Sequence, residues 1–248
     1  MNNSGITRRV TLVAAGVTTA ASLTTTGLLA SPAAAAPQPL RNDELKEALR
    51  RAKARHRRLR TGRPSANGWE MQKAMDADGA VVTCSVAGTG LTVPLRMGDT
   101  ETVLLHVIRR FHYEVDFLGA DGGPNPLEGW VAPSSVRDSR RPESNQASGT
   151  AVVIRPGSYP PGVQDGFTKG QQLTIRDIAA DTEGVVRWGG DDRRPYEGLF
   201  YLDVPPGDAR LERVAAKIRA WGEAPGTGAG VIPDVMETSR RRRAARYS

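Results

Sequence analysis

Hydrophobic residues recur along the chain with two periods, one typical of strands and one typical of helices. Residues 81–86 and 91–95 alternate apolar and polar positions around the turn sequence AGTG, which predicts a β-hairpin. Thr100 is predicted to cap a helix that follows the hairpin. That helix carries its apolar residues at helical spacing, and they are Val103, Leu104, Val107, Ile108 and Phe111.

Further elements follow from the same two periods. They are a strand at 113–118, a helix at 169–181 that ends at Gly184, strands at 185–188 and 200–204, and a helix that Asp208 caps and that reaches Trp221. Residues 119–150 are rich in Gly, Pro, Ser and Asn, which predicts turns. Hairpins mixed with separated helices predict an α+β fold with a small antiparallel sheet and flanking helices.

The first 36 residues have the pattern of an export signal. Arg8 and Arg9 precede a mild apolar run that reaches Leu29, and small residues follow up to Ala36. The paired arginines resemble a twin-arginine signal, but Thr11 stands where that signal prefers Phe, so the Sec route stays open. We therefore expect a secreted protein, extracellular or associated with the cell wall. After residue 36 no stretch is apolar for long enough to cross a bilayer.

The net charge of +7 is unevenly distributed over the 248 residues. Residues 64–239 hold 17 basic and 24 acidic side chains, so this part is acidic with a net charge of −7. The positive charge lies in the segments that flank it. A basic groove for nucleic acid in the folded part is therefore disfavoured, and no specific nucleic-acid partner is expected.

The two basic flanking segments carry separate predictions. Residues 37–64 form a basic helical arm, with Asn42 as the helix cap. This arm either binds an anionic wall polymer or lipid or is a solvated helix that joins the export signal to the domain. Its weak apolar stripe favours the solvated helix. Residues 223–248 are rich in Gly, Pro and Arg, which predicts a disordered tail with a solvated run at 240–243.

Few residues offer metal or thiol chemistry. The single cysteine, Cys84, excludes a disulfide framework within the chain and alternates in a strand pattern, so it is predicted to lie in the core. The three histidines are His56, His106 and His112, and no pair of them has the spacing of a metal site. No cofactor is predicted.

Two segments carry a resemblance to a known family. Residues 144–153 read SNQASGTAVV, which resembles the motif S-N-H-A-S-G-T-A-x-D of the VanY-type D-alanyl-D-alanine carboxypeptidases. Residues 185–191 read VVRWGGD and residues 197–200 read EGLF, which resemble the family ending V-V-R-W-G-G-D … E-M-H-F. The likeness extends over roughly residues 65–221. It implies the D-Ala-D-Ala carboxypeptidase/Hedgehog-like fold for a domain at 65–222.

The resemblance implies the family's zinc peptidase site but without its ligands. The first His, the Asp and the last His of the family correspond to Gln146, Val153 and Leu199 here. A Gln oxygen is a weak zinc ligand, and Val and Leu have no lone pair. The family's general base corresponds to Glu197, which is either an acid/base remnant or the partner of a neighbouring arginine, Arg193 or Arg194.

Three functions are compatible with this pattern. The first is a secreted zinc-free homologue, a pseudoenzyme that binds peptidoglycan stem peptide or a related ligand without cutting it. In it Arg137 would hold a terminal carboxylate, unless Arg137 is a solvated loop residue. Neutral hydrogen bonds to the ligand would come from Ser144, Asn145, Gln146 and Ser148.

The second function is a repurposed metal-free enzyme that acts on a small molecule or peptide, with Glu197 as acid or base. The third, ranked last, is a metallopeptidase with substitute ligands drawn from His106, His112 or Asp191. A dry, closed cavity would favour the metal-free enzyme, whereas an open groove would favour peptide binding.

Overall fold

The computed structural model describes residues 42–119, 123–224 and 226–247, and the predicted export signal lies outside them. Five α-helices occur in these described ranges. They are α1 (Asn42–Leu59), α2 (Asp99–Glu114), α3 (Lys169–Asp181), α4 (Ala209–Glu223) and α5 (Thr238–Arg246). The helix predicted at 169–181 is confirmed, and Thr168 caps it in a reciprocal pair with Gln171. Asp208 caps α4 as expected, since its side chain accepts a hydrogen bond from the backbone N–H of Arg210 at 2.9 Å.

The strands of the described chain form three antiparallel sheets. β1 (Arg60–Pro64) pairs with β2 (Glu70–Gln72), and β3 (Val81–Val86) pairs with β4 (Leu91–Arg96) as the predicted hairpin. The third sheet has four strands, β5 (Leu127–Glu128), β6 (Ala151–Ile154), β7 (Val186–Trp188) and β8 (Leu199–Leu202), in the order β5-β6-β8-β7. Small antiparallel sheets with helices around them confirm the α+β class.

Both faces of the central strands β6 and β8 are buried, and the alternation of side chains divides them between two clusters. Val152 and Phe200 point into the main core, where Phe200 meets Phe111 of α2 with ring centroids 5.9 Å apart. A second apolar cluster occupies the opposite face. It consists of Ala151, Val153, Leu199 and Tyr201, with Tyr196 packed against it.

Helix α2 buries the five apolar residues that its spacing predicted, but it begins differently from the prediction. The N-cap is Gly98, and Thr100 lies buried inside the first turn. Gly98 adopts a φ of 89°, which is readily available to glycine and brings the chain into the helix before Thr100. Cys84 lies in the main core as expected, and burial, with a smaller contribution from Glu101, raises the pKa of its thiol to about 11.

The prediction of a strand at 113–118 is wrong, because α2 continues through Glu114. The guanidinium of Arg110 binds the Glu114 carboxylate one turn later, which favours the helix at this point. The chain then turns back, and the N–H of Leu118 donates to Nδ1 of His112 at 2.9 Å. This hydrogen bond requires Nδ1 of His112 to carry no proton.

We expect the protein to become less stable in acid because of His112. Burial lowers the pKa of this imidazole below its ordinary value, and the charge of Asp116 offsets that effect only in part. A lowered folded-state pKa contributes stability that is complete above the unfolded value of 6.5 and is lost as pH falls through the folded value. Urea unfolding at pH 7.5 and pH 5 should show this loss.

The variant His112→Gln should flatten that pH dependence, since its amide oxygen accepts the Leu118 N–H without titrating. His56→Gln, at an exposed position of α1, is the matched control and should leave the pH dependence unchanged. An equal loss of stability in acid for wild type and His112→Gln would contradict the assignment.

Helix α1 has no buried residue, so all its basic side chains face solvent. It meets the rest of the protein near its C-terminal end, where Arg55 lies 3.2 Å from Asp78. This exposure agrees with both predictions for the arm, a solvated helix and a helix that binds an anionic polymer.

A buried charge cluster joins α2, α3 and α5; we call it the acid–arginine cluster. Its members are Arg110, Glu114, Asp177, Asp181, Arg240 and Arg243. Arg110 lies at the centre: Nε is 2.7 Å from Glu114, Nη1 is 2.6 Å from Asp181 and Nη2 is 3.0 Å from Asp177. Its side chain is 3% exposed, so these contacts are shielded from water.

The prediction of a disordered tail is corrected for residues 238–246, which form α5. Arg240 Nε binds Asp177 Oδ1 at 3.0 Å, and Arg243 Nη2 binds Asp181 Oδ1 at 2.5 Å. Ala244 is buried on the same helix. The sequence predicts these arginines to be solvated charges. In the structure, two of them form ion pairs with carboxylates of α3.

Candidate functional site

A cavity of about 550 Å³ lies beside the 3-10 helix Pro142–Ser148; we call it the Gln146 cavity. Its lining includes Glu128, Arg137, Glu143, Gln146, Arg194 and Tyr196. Glu128, Arg137 and Arg194 are exposed, whereas Gln146 is only 5% exposed. The charged residues therefore form an open rim, and Gln146 lies at the bottom.

Gln146 is held by one side of its amide. Nε2 donates to the backbone oxygen of Glu128 at 3.2 Å and to its carboxylate Oε1 at 3.1 Å. These two bonds fix the orientation of the amide plane. The other atom, Oε1 of Gln146, accepts no hydrogen bond from any described residue. The cavity thus contains a fixed neutral acceptor.

The two other positions that the resemblance would align with zinc ligands lie side by side. Val153 of β6 and Leu199 of β8 are directly paired across the sheet, and both are buried in the second apolar cluster. Neither side chain has an atom that can bind a metal. Within the described ranges, no group of three or more His, Cys, Asp or Glu side chains could hold a metal ion. These residues therefore do not fit a zinc ion.

Two guanidinium groups at the rim have no anionic partner. Arg137 and Arg194 form no ion pair and no side-chain hydrogen bond with any described residue. The neighbouring Arg141 differs, because its Nε lies 3.5 Å from Asp138. An arginine without an ion-pair partner at the rim of an open cavity can form a bidentate hydrogen-bonded pair with a carboxylate.

Tyr196 forms part of the cavity wall and packs on the second apolar cluster. Burial raises the pKa of its phenol to about 12, and the carboxylates of Glu128 and Glu143 add to the effect. The phenol therefore keeps its proton at neutral pH. It offers both a hydrogen-bond donor and an acceptor to a ligand.

Glu197 is directed elsewhere. Its two carboxylate oxygens accept hydrogen bonds from the backbone N–H groups of Asp165 and Gly166, at 3.1 and 2.8 Å. The residue is 4% exposed and is not part of the cavity lining. Neither Arg193 nor Arg194 pairs with it. Glu197 thus positions the loop at 165–166.

Ser144, Asn145 and Ser148 use their polar atoms inside the protein. Ser144 Oγ accepts from the N–H of Ala66 at 2.9 Å, and Asn145 Oδ1 accepts from the N–H of Asn67 at 3.1 Å. Ser148 Oγ accepts from the hydroxyl of Ser65 at 2.9 Å. The three side chains hold the segment 65–67 against the 3-10 helix. Of the four neutral residues considered for ligand binding, Gln146 is the one with a free acceptor in the cavity.

The three residues considered as substitute metal ligands form contacts elsewhere in the protein. His106 Nε2 lies 3.8 Å from Asp181, and His112 accepts the N–H of Leu118. Asp191 pairs with Arg176, with the closest N···O distance at 2.6 Å. None of these side chains is part of the cavity lining.

Sequence patterns did not identify Glu128, Glu143 or Tyr196 as cavity residues. Glu143 precedes the SNQASGTAVV segment directly, and Tyr196 precedes Glu197 in the EGLF segment. Proximity to those two motifs was therefore the available signal. Glu128 lies in a two-residue strand within the turn-rich region, where no motif marks it.

Comparison with known proteins finds no match among family models, curated proteins or solved structures. In the described part of the chain, none of the helices has the length and apolar character needed to span a membrane.

Proposed function

We propose that this protein is a secreted, zinc-free homologue of the D-alanyl-D-alanine carboxypeptidases that binds a cell-wall peptide or a related ligand without cleaving it. The observation that carries the proposal is the unpaired guanidinium of Arg137 at the rim of the open Gln146 cavity. A peptide ending in a free carboxylate would bind there through charge-assisted hydrogen bonds. The signal-like residues 1–36 support secretion and a place at the cell wall.

The absence of peptide cleavage follows from the chemistry of the cavity. The family that the sequence resembles cleaves peptides with a water molecule that its metal activates. Gln146, Val153 and Leu199 supply no zinc site, and Glu197 binds backbone N–H groups away from the cavity. The open rim also favours a bound peptide over a sealed pocket for metal-free catalysis.

We expect Arg137→Gln to weaken peptide binding about 10- to 100-fold, since a hydrogen bond to a charged group contributes about 1.5–3 kcal/mol. The measurement is calorimetric titration of L-lysyl-D-alanyl-D-alanine into the chain from residue 37 onwards. The same peptide with a C-terminal amide should bind wild type about as weakly as the acid binds the variant.

Arg193→Gln is the matched control, because Arg193 is an exposed arginine next to Arg194 that does not line the cavity. It should leave the affinity unchanged. Equal affinity of wild type for the acid and the amide, or no binding of either at millimolar peptide, would contradict the proposal.

A further inference from the structure

Another cavity, of about 180 Å³, adjoins the acid–arginine cluster; we call it the His106 cavity. Thr227 and Val231, from the segment between α4 and α5, line it and are exposed, so the cavity is open to solvent on that side. One molecule of liquid water takes about 30 Å³, so the cavity has room for about six waters or one small ligand. The helical part of its lining consists of His106, Arg110, Asp181, Trp221, Arg240 and Arg243.

Two buried polar atoms of this lining have no hydrogen-bond partner among the described residues. They are Nε2 of His106 and Nε of Arg243. His106 is only 4% exposed, and Oδ2 of Asp181 lies 3.8 Å from its Nε2, which is beyond hydrogen-bond distance. A buried polar atom without a partner costs free energy, and both atoms are therefore available to a ligand in the cavity.

The charges of the lining favour an anion. Among the described residues that line the cavity there are three guanidinium groups and one carboxylate, that of Asp181. Both oxygens of this carboxylate already accept hydrogen bonds, Oδ2 from Arg110 at 2.6 Å and Oδ1 from Arg243 at 2.5 Å. The cluster's other carboxylates, Glu114 and Asp177, are not part of the lining. The cavity thus keeps an unused donor on a cation, while its carboxylate is neutralised.

We propose that the His106 cavity binds a small oxyanion, a carboxylate or a phosphate, between His106 and Arg243. One oxygen of the anion accepts a hydrogen bond from Nε–H of Arg243. Another accepts from Nε2 of His106, in the form of the ring that carries its proton on that atom. This site is separate from the Gln146 cavity, so the inference goes beyond the proposed function.

The anion would connect the C-terminal helix to the body of the domain. His106 belongs to α2 and Arg243 to α5, so a ligand that bonds to both joins the two helices. Apart from its ion pairs, α5 buries one residue, Ala244. Because the anion binds the folded state alone, it should raise the melting temperature of the protein.

The test is calorimetric titration of sodium phosphate and, separately, of sodium acetate into the full-length protein at constant ionic strength. At least one of these anions should bind with a Kd below about 1 mM, and the tighter one identifies the class of oxyanion. Arg243→Lys keeps a cation beside Asp181 but has no Nε–H donor. We expect it to weaken binding about tenfold or more. His106→Leu, which removes the other unpartnered atom and leaves the ion pairs in place, should weaken binding as well.

Arg241→Lys is the matched control, since it makes the same change at an exposed position of α5 outside this cavity. It should leave the affinity unchanged. The better-binding anion should also raise the melting temperature of wild type and Arg241→Lys more than that of Arg243→Lys, which separates binding from the general effect of salts. Equal affinity of wild type, Arg243→Lys and His106→Leu, or no binding of either anion at 10 mM, would overturn the site. The proposed function would be unaffected, because it rests on Arg137.

Discussion

Replacing Arg110 with methionine should lower the free energy of unfolding by about 3–5 kcal/mol, the range typical when one partner of a buried ion pair is removed. Arg110 contacts three carboxylates of the acid–arginine cluster. Asp177 and Asp181 retain Arg240 and Arg243, but Arg110 is the one cation paired with Glu114 among the described residues. The Glu114 side chain is 2% exposed, so its charge would be left buried and uncompensated.

Urea unfolding at pH 7 measures this loss, and Arg219→Met provides the control. Arg219 forms an exposed pair with Asp99, so its removal should cost less than about 1 kcal/mol. Equal effects of the two substitutions would contradict the role assigned to burial.

The effect of Arg110→Met should also shrink in strong acid. Burial opposes the charged form of Asp181, but His106, Arg110 and Arg243 outweigh burial and lower the pKa of its carboxyl to about 2. The stability that this lowered pKa contributes is complete above the unfolded value of 3.8 and is lost as pH falls towards 2. Once protonated, the carboxyl group no longer needs the guanidinium.

Introducing the three zinc ligands of the family that the sequence resembles should create a zinc site, whereas the described residues of the wild type have no group that could hold a metal ion. We expect the triple variant Gln146→His, Val153→Asp, Leu199→His to bind one Zn²⁺ with a Kd below about 1 μM, whereas the wild type retains almost no zinc after desalting. Positions 153 and 199 are directly paired across the sheet, and the 3-10 helix with Gln146 contacts both strands.

The metal-free triple variant should be less stable than wild type, because it buries an unpaired carboxylate beside an imidazole in the second apolar cluster. Zinc should then raise its melting temperature, since the ion binds the folded state alone. The control keeps both histidines and places Asn at position 153, which removes the carboxylate ligand. Tight zinc in the wild type would overturn the zinc-free assignment, and no zinc in the triple variant would contradict the site implied by the resemblance.

The elements that sequence predicted correctly are those in which a local pattern and the tertiary structure agree. The hairpin at 81–96, the apolar face of α2 and helix α3 follow from the hydrophobic period, and α4 follows from its period and its Asp208 cap. The errors occur where contacts with residues distant in sequence determine the local structure. Arg240 and Arg243 have helical propensity in any case, but the carboxylates at 177 and 181 that pair with them lie in a distant helix.

The same distinction applies to the site. Arg137 and Gln146 could be singled out from sequence, because each lies in or near a motif, and the structure places both in one cavity. Glu197 was a poor candidate for a reason that sequence does not contain: the loop at 165–166 supplies two N–H groups to its carboxylate from more than thirty residues away. Glu128 reaches the cavity through a pairing of β5 with β6 that no local pattern encodes.

The docking of α5 also determines how this chain can be shortened, tagged or attached to a surface. A chain that stops before Thr238 would lose Arg240 and Arg243. The carboxylates at 177 and 181 would then keep fewer cationic partners. Tyr247 belongs to the packed part too, since its ring lies 3.1 Å from where a side-chain carbon at Gly184 would stand. Fluorescent labels, affinity tags and immobilisation linkers therefore belong ahead of α1, a helix that buries no residue.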